Sequence, residues 1–228
     1  YMLPLHTSGF EEWHRKFPEK PLEEFPFRIS KMSRSGALFD LDKLNDISKT
    51  ELSALSAEEM LSFLREWAFS YGTQKEQAYF TDEAYLLKVL SLCMGIGGKK
   101  RRKDFITAKQ AMGEIGYFFG DYVQKDDYRV DIATRDAVLR KFLETYDPSD
   151  DAQMWFAKVK QIAAELGFAA EMRDYKANPG AYKGSVSDVA EVLRVAVTGR
   201  ANSPDLWTIM QIFGEARTRT RIAHAMAE

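Results

Sequence analysis

The chain has 228 residues, 45% hydrophobic, 29% charged and 13% aromatic. That supports one ordinary core or two small ones and excludes a disordered or low-complexity chain. Lys and Arg number 32 against 34 Asp and Glu, a formal charge of −2, so a nucleic-acid role has to rest on local basic patches rather than on overall charge. A single cysteine, Cys93, excludes an internal disulfide framework and a Cys-based zinc site. The histidines His6, His14 and His224 are a thin supply for metal. The longest apolar run, near 85–94, contains Lys88 and is too short to span a bilayer. Early charges such as Glu11, Glu12, Arg15 and Lys16 do not have the layout of a signal peptide.

Taken in chain order, the first 35 residues scatter aromatics and prolines: Phe10, Trp13, Phe17, Pro18, Pro21, Phe25, Pro26 and Phe27. Each proline holds its predecessor extended, so only 11–16 has room for a short helix in an otherwise irregular arm. A short helix is expected at 42–49. Ser56 and Glu59 form a capping box for a helix to about 71, with Met60, Phe63, Leu64, Trp67 and Ala68 at helical spacing, and Gly72 stops it. Thr81 or Asp82 caps the next, whose stripe is Tyr85, Leu86, Val89 and Leu90 and whose end is Met94-Gly95. Thr107 and Gln110 read as another capping box, opening a helix of 108–119. Gly113 and Gly116 inside that helix cost up to about 1 kcal/mol each against alanine, tolerable where another helix packs closely.

A helix near 134–146 turns Ala137, Val138, Phe142 and Leu143 inward. Asp147-Pro148-Ser149-Asp150 is the clearest turn of the chain, placing a subdomain boundary within 146–151, with Ser149 or Asp150 capping a helix of 151–166. A broken segment around Asn178-Pro179-Gly180 precedes a helix at 187–197 that ends at Thr198-Gly199. Ser203 and Pro204 start another helix, and Gly214 separates it from a last helix to about 226. No clean β alternation exceeds four residues. The expected fold is all-α: an arm at 1–50, a first helical subdomain at 51–148 and a second at 149–228.

Lys99, Lys100, Arg101, Arg102 and Lys103 follow Gly95, Gly97 and Gly98. Five crowded cations call for an anion or bulk solvent to screen them, and a phosphate backbone is such an anion; the plain alternative is a solvated loop. Arg217 and Arg221 share a helical face and, with Arg194 and Arg200, form a candidate basic rim suited to phosphate and base edges. Trp67 and Trp155 lie on apolar stripes and read as core, whereas Trp207 is a candidate stacking platform. Cys93 reads as a buried small hydrophobe, and His224 as a helix-dipole partner. Asp126, Asp127, Asp131 and Asp136 lack the spacing of a calcium loop and read as an acidic surface. Lys31-Met32-Ser33-Arg34-Ser35 resembles the KMSKS loop of class I aminoacyl-tRNA synthetases, which steadies ATP phosphates. Its partner motif HIGH is absent, and 30 preceding residues cannot hold a nucleotide fold, so the run reads as a solvated turn.

Within 181–227, the sequence Arg194, Ala196-Val197-Thr198-Gly199, Ser203-Pro204-Asp205-Leu206 and Phe213-Gly214-Glu215-Ala216-Arg217 resembles the C-terminal end of bacterial glutamate–tRNA ligases. Residues 27–48, with Ser35-Gly36-Ala37-Leu38-Phe39-Asp40, resemble the stretch beyond that family's own KMSKS loop, at the start of its anticodon-binding half. Residues 147–156 and 171–182 resemble its clostridial-type branch. The resemblance is strong at both ends and loose between 72 and 133; Lys183-Gly184-Ser185-Val186-Ser187-Asp188 departs from the commoner Pro-Leu-Arg lead-in.

The resemblance implies two helical subdomains forming a curved cage around the anticodon stem and loop of tRNA(Glu). Arg194 matches an arginine that contacts anticodon bases, and Pro204 and Leu206 match residues packed against them. Arg200, Arg217, Arg221 and Lys99, Lys100, Arg101, Arg102 and Lys103 would add tRNA contacts, all on one concave side. The parent enzyme would be a cytoplasmic ligase using ATP and Mg. This stretch would carry no catalytic residue, cofactor or metal, and would be a monomer without membrane or disulfide partner. Its opening, Tyr1-Met2-Leu3-Pro4, reads as that of a processed product or of a piece of a longer protein. Two alternatives are a helical scaffold for protein interaction, favoured if the basic residues scatter over all faces, and a nucleotide-binding piece with Lys31 and Arg34 on ATP. Under the tRNA reading, Arg194→Ala is expected to leave folding nearly untouched.

Overall fold

A computed structural model of the chain describes residues 3, 6, 7, 9–32, 39–98, 100–120 and 126–227. Among these the fold is all-α, with only two isolated backbone bridges, Thr7 to Met32 and Ala169 to Ser185, in place of any sheet. Among its described residues the arm holds a short helix, α1 (Phe10–Lys16), and 3₁₀ turns at Leu22–Glu24 and Ile29–Lys31. Then follow α2 (Leu41–Ala54), α3 (Ala57–Tyr71), α4 (Gln74–Ala78), α5 (Glu83–Met94) and α6 (Ala108–Ile115), the last running into a 3₁₀ turn at Gly116–Phe119. Beyond it lie α7 (Ile132–Thr145), α8 (Ala152–Glu165), α9 (Met172–Ala177), α10 (Val186–Thr198) and α11 (Leu206–Ala227).

Most of these helices begin because a short polar side chain takes up an amide that the helix itself leaves unpaired. Asp40, Asp82, Asp131, Asp151 and Asp205 each accept from the backbone N–H three residues on, at 2.8–3.0 Å. Ser56 with Glu59 and Thr73 with Glu76 form reciprocal capping boxes. The expected start at Ser203-Pro204 is displaced to Leu206, because Asp205 takes the cap while Ser203 is held by other bonds. Likewise Asp151, rather than Ser149 or Asp150, caps α8. Thr107 accepts from the Gln110 amide, but the Gln110 side chain reaches one residue further back, to the Ile106 N–H at 3.0 Å. Gly214 has φ 74° and breaks α11 where the sequence places the break.

Apolar stripes bury one continuous core from Leu52 to Ala225, with Phe118, Phe142, Met60 and Leu193 fully enclosed. In it α3 packs on α5 and α6, α10 packs on α8 and α11, and α11 also reaches α5. Helix α7, on the near side of the Asp147–Asp150 turn, packs against α8, α10 and α11. Trp155 is 7% exposed and belongs to this core. Trp207 is only half-buried, and its indole N–H donates to the Asp150 carbonyl at 3.0 Å, so it anchors the turn instead of standing as a platform. A Cβ on Gly113 would meet nothing within 4 Å; this glycine faces open space, not the closely packed helix expected there.

Arginines of α11 fasten this last helix to segments between Tyr85 and Val197. Arg221, 6% exposed, donates to the Val197 carbonyl at 2.7 Å and the Tyr117 carbonyl at 2.5 Å. Arg219 bonds the Leu143 and Tyr146 carbonyls, and Arg217 donates to the Phe118 carbonyl at 2.7 Å and the Tyr85 hydroxyl at 3.0 Å. Of the pair on one helical face, Arg217 stays exposed while Arg221 lies inside the fold. Removing a buried guanidinium strands two carbonyls, so Arg221→Ala should cost about 3 kcal/mol of unfolding free energy. Arg221→Lys should recover only part, lacking the fork that reaches both oxygens. Urea titrations of the three proteins followed by circular dichroism check this; a loss under about 1 kcal/mol for the alanine variant would contradict it.

Candidate nucleic-acid interface

Three clefts adjoin along the seam between 73–119 and 198–217. The first, about 90 Å³, is lined by Arg102, Asp104, Glu114, Tyr117, Arg200 and Ser203 among others. The second, about 270 Å³, shares Tyr117 and Arg200 with it and adds Lys75, Glu76, Tyr79 and Gly113. The third, about 430 Å³, shares Lys75 and Tyr79 with the second and ends at Arg217. Together they make a groove with Arg102, Arg200, Lys75 and Arg217 along it.

The wall at 194–204 is built by α10 and the turn after it. Gly199 ends α10 with φ 74°, a conformation that favours glycine. Asp126 pins the turn by donating its amide to the Gly199 carbonyl and accepting from the Ala201 N–H at 2.7 Å. Arg194 reaches forward across the turn: its Nη1 donates to the Ser203 carbonyl at 3.1 Å, the Ser203 Oγ at 3.0 Å and the Pro204 carbonyl at 3.2 Å. Arg200 forms an ion pair with Glu114, donates to the Gly113 carbonyl and lies 5.3 Å over the Tyr117 ring. Burial pulls the Arg194 and Arg200 guanidiniums below the usual arginine range, yet an arginine stays charged in a folded protein.

The opposite wall begins at Gly95, whose φ of +67° turns the chain out of α5. The Arg102 amide then closes the loop onto the Met94 carbonyl at 2.9 Å. Arg101 donates to the Leu55 carbonyl at 2.5 Å and so serves the end of α2. Arg102 pairs with Asp104 at 2.6 Å, Lys103 donates to the Thr50 hydroxyl at 3.1 Å, and Lys100 is exposed. Lys99 lies outside the described residues, as do Ser33, Arg34 and Ser35 of the run that starts at Lys31. Cys93, 7% exposed, lines the first cleft, and burial pushes its thiol up to about 12.

Of the residues expected at the site, Arg102, Arg200 and Pro204 line the first cleft, Arg194 is bonded to the Pro204 carbonyl beside it, and Arg217 lines the third. Leu206 is 2% exposed and Arg221 is buried, so both sit behind the wall rather than on it. Lys75, Tyr79 and Tyr117 carry no periodic signal in the sequence, because they stand in a five-residue helix and two 3₁₀ turns. Among the described residues no three His, Cys, Asp or Glu side chains converge as metal ligands, and no helix is long and apolar enough to cross a membrane.

Residues 180–226 match the family described as an anticodon binding domain. Over 225 residues, 97% of this chain, the sequence is 46% identical to a glutamate–tRNA ligase of Acetivibrio thermocellus, covering 41% of it. It is 36% identical to that of Sorangium cellulosum over 98% of the chain and 40% of the relative, and 36% identical to that of Clostridium perfringens over 97% and 42%. The chain therefore spans about two-fifths of the length of the curated relatives it matches. Its fold resembles a solved glutamate–tRNA synthetase of Elizabethkingia anophelis with a TM-score of 0.57 at 16% identity, over 89% of this chain and 34% of that one. Over nearly its whole length the chain is similar to glutamate–tRNA ligases, and over 180–226 it matches the anticodon binding domain; relatives from Sorangium and Clostridium match at equal identity, so the likeness marks no branch.

The Arg194 geometry alters one expectation. Its guanidinium ties α10 to the turn before α11, so Arg194→Ala should cost about 1–2 kcal/mol of stability rather than leave folding untouched. Thermal and urea unfolding measure it, and a change below about 0.5 kcal/mol would show the three hydrogen bonds to be dispensable.

Proposed function

We propose that this chain is the anticodon-binding part of a glutamate–tRNA ligase, and that the groove between 73–119 and 198–217 holds the anticodon stem and loop of tRNA(Glu). The observation that carries this reading is a coincidence of place. The stretch matched to the anticodon binding domain, 180–226, supplies Arg200, Ser203 and Pro204 to the cleft that Arg102 lines from the first half, with Lys75 in the adjoining cleft and Arg194 holding the Ser203-Pro204 turn. The chemistry suits single-stranded RNA, whose splayed bases are held by donor forks, stacked rings and apolar contacts while phosphates are held by charge.

Arg102, Arg200, Arg217, Lys100 and Lys103 face the RNA in this reading, with Lys99 in the same basic loop. Arg194 positions the Ser203-Pro204 turn and presents Pro204 to a base. Arg101, Leu206 and Arg221 support the surface from behind. The organisation is an arm (1–50), a first helical unit (51–148) and a second (149–228), with α7 packing across the last division. The parent, a cytoplasmic and monomeric enzyme of the clostridial-type branch in this proposal, joins glutamate to tRNA(Glu) with ATP and Mg. That chemistry belongs to the part of the relatives that this chain does not cover, so the chain alone should release no pyrophosphate from ATP.

A titration with tRNA(Glu) and with an unrelated tRNA across about 50–200 mM salt tests the proposal. Tighter binding of tRNA(Glu), with the logarithm of affinity falling linearly with that of salt, is expected. Replacing Lys99, Lys100 and Lys103 by Gln should weaken both RNAs alike and flatten the slope by about 0.9 for each phosphate no longer neutralised. Equal affinity for the two tRNAs would refute the reading, and an unchanged slope would remove the basic loop from it.

A further inference from the structure

The groove carries as many carboxylates as cations. In the first cleft Arg102 and Arg200 stand beside Asp104 and Glu114. Further along, Lys75 and Arg217 share the second and third clefts with Glu76 and Asp82. A surface built only to attract a polyanion gains nothing from these carboxylates, because each of them opposes phosphate. Two have a structural duty that accounts for them: Glu76 completes the capping box with Thr73, and Asp82 caps α5 through the Tyr85 amide. Asp104 and Glu114 have no such duty. Among the described residues their carboxylates meet Arg102 and Arg200 alone.

These two pairs engage the part of each arginine that a phosphate would use. Arg102 gives both Nε, at 2.7 Å, and Nη2, at 2.6 Å, to one oxygen of Asp104. Arg200 gives Nη1 to Glu114 and Nη2 to the Gly113 carbonyl at 3.1 Å. A guanidinium holds phosphate best through two parallel N–H bonds, and here that fork is already taken. Other cations of the surface meet neutral partners instead. Lys103 donates to the Thr50 hydroxyl, and Arg217 to the Phe118 carbonyl and the Tyr85 hydroxyl, so no carboxylate cancels their charge. Ion pairs as exposed as Arg102–Asp104 add little to folding, so stability does not explain why the first cleft is neutralised.

We propose that Asp104 and Glu114 are specificity-determining residues that exclude phosphate from the first cleft, so that an RNA whose backbone falls there is rejected. An RNA that lays its phosphates on the loop around Lys100 and Lys103, and near Arg217, meets no such repulsion. One docked out of register meets two like charges, and like charge placed against the wrong partner is an effective source of discrimination. This deepens the anticodon-binding reading and rests on it for the identity of the accepted RNA.

The test uses the full chain with Asp104→Asn and Glu114→Gln, singly and together. Each substitution keeps an oxygen that accepts from the arginine and removes only the charge. Glu165→Gln is the control, because it takes the same charge from a pair with Lys141, neither of which lines any of the three clefts. Affinities for tRNA(Glu), for an unrelated tRNA and for inorganic polyphosphate, a phosphate chain without bases, are titrated across salt. Each substitution in the cleft should tighten the unrelated tRNA and the polyphosphate about threefold at low salt, the size of one like-charge contact near water. The salt slope should steepen by about 0.7–0.9 for every phosphate newly taken up. The affinity for tRNA(Glu) should stay within about twofold, so that its preference shrinks. Equal gains for both tRNAs, or gains no larger than those of Glu165→Gln, would overturn the proposal. Weaker binding of tRNA(Glu) by the variants would overturn it too, by making the carboxylates direct contacts to that RNA. Wild-type protein that does not prefer tRNA(Glu) would remove the anticodon-binding reading, and the polyphosphate titration alone would then decide whether the pairs exclude phosphate.

Discussion

The bond from Arg221 to two distant carbonyls governs how the rest of this protein is arranged. One oxygen belongs to Val197, at the end of α10, and the other to Tyr117, in the 3₁₀ turn after α6. A charged side chain in the interior is stable only when its donors are satisfied, so both backbone segments are held to a fixed separation. Those segments are the walls of the groove. The Phe213 ring lies 4.3 Å beneath the guanidinium and adds the cation–π attraction available to an arginine over an aromatic face.

Arginine has two opposed duties in this fold, and local partners decide which one each residue performs. Where the guanidinium meets backbone carbonyls, as at Arg101, Arg219 and Arg221, it ties helices together. Where it meets a carboxylate beside a cleft, as at Arg102 and Arg200, its charge is balanced while part of its fork lines open space. A chain of net charge −2 can therefore present donors to RNA without a broad basic face. In the proposed function, attraction to phosphate falls to the residues around Lys100, and recognition of shape and edge falls to the groove.

The helices were legible from the sequence because their start signals are local. Ser56 with Glu59, Asp82 and Gly214 act within four residues of themselves, and the structure places each where the pattern does. Errors arose where a side chain had a distant claim on it. Ser203 looks like a helix cap, but Arg194 and the Pro204 carbonyl engage its hydroxyl, and the cap passes to Asp205. Arg221 looks like a surface residue in the spacing of 217–221, yet its partners stand 24 and 104 residues away. Gly113 looks like a contact point for another helix and instead borders a cleft. The resemblance of 181–227 to a known family directs attention to the wall at 194–204, but Tyr117 and Lys75 on the other side carry no signature that spacing could reveal.

The groove joins segments far apart in the chain, so its shape depends on helix packing as much as on the residues that line it. Arg200 touches Gly113 and Glu114 across 87 and 86 residues of sequence respectively. A change that shifts α6 against α10 moves the Arg200–Tyr117 stack and thereby both clefts that share it. Small displacements of this kind are sufficient to degrade recognition, because hydrogen bonds weaken steeply with angle and distance. Substitutions in the core beneath this seam would thus act on the groove through geometry while lowering stability at the same time. A substitution confined to a lining atom changes recognition while stability holds. Measuring both quantities on the same variant separates a wall of the groove from the scaffold behind it.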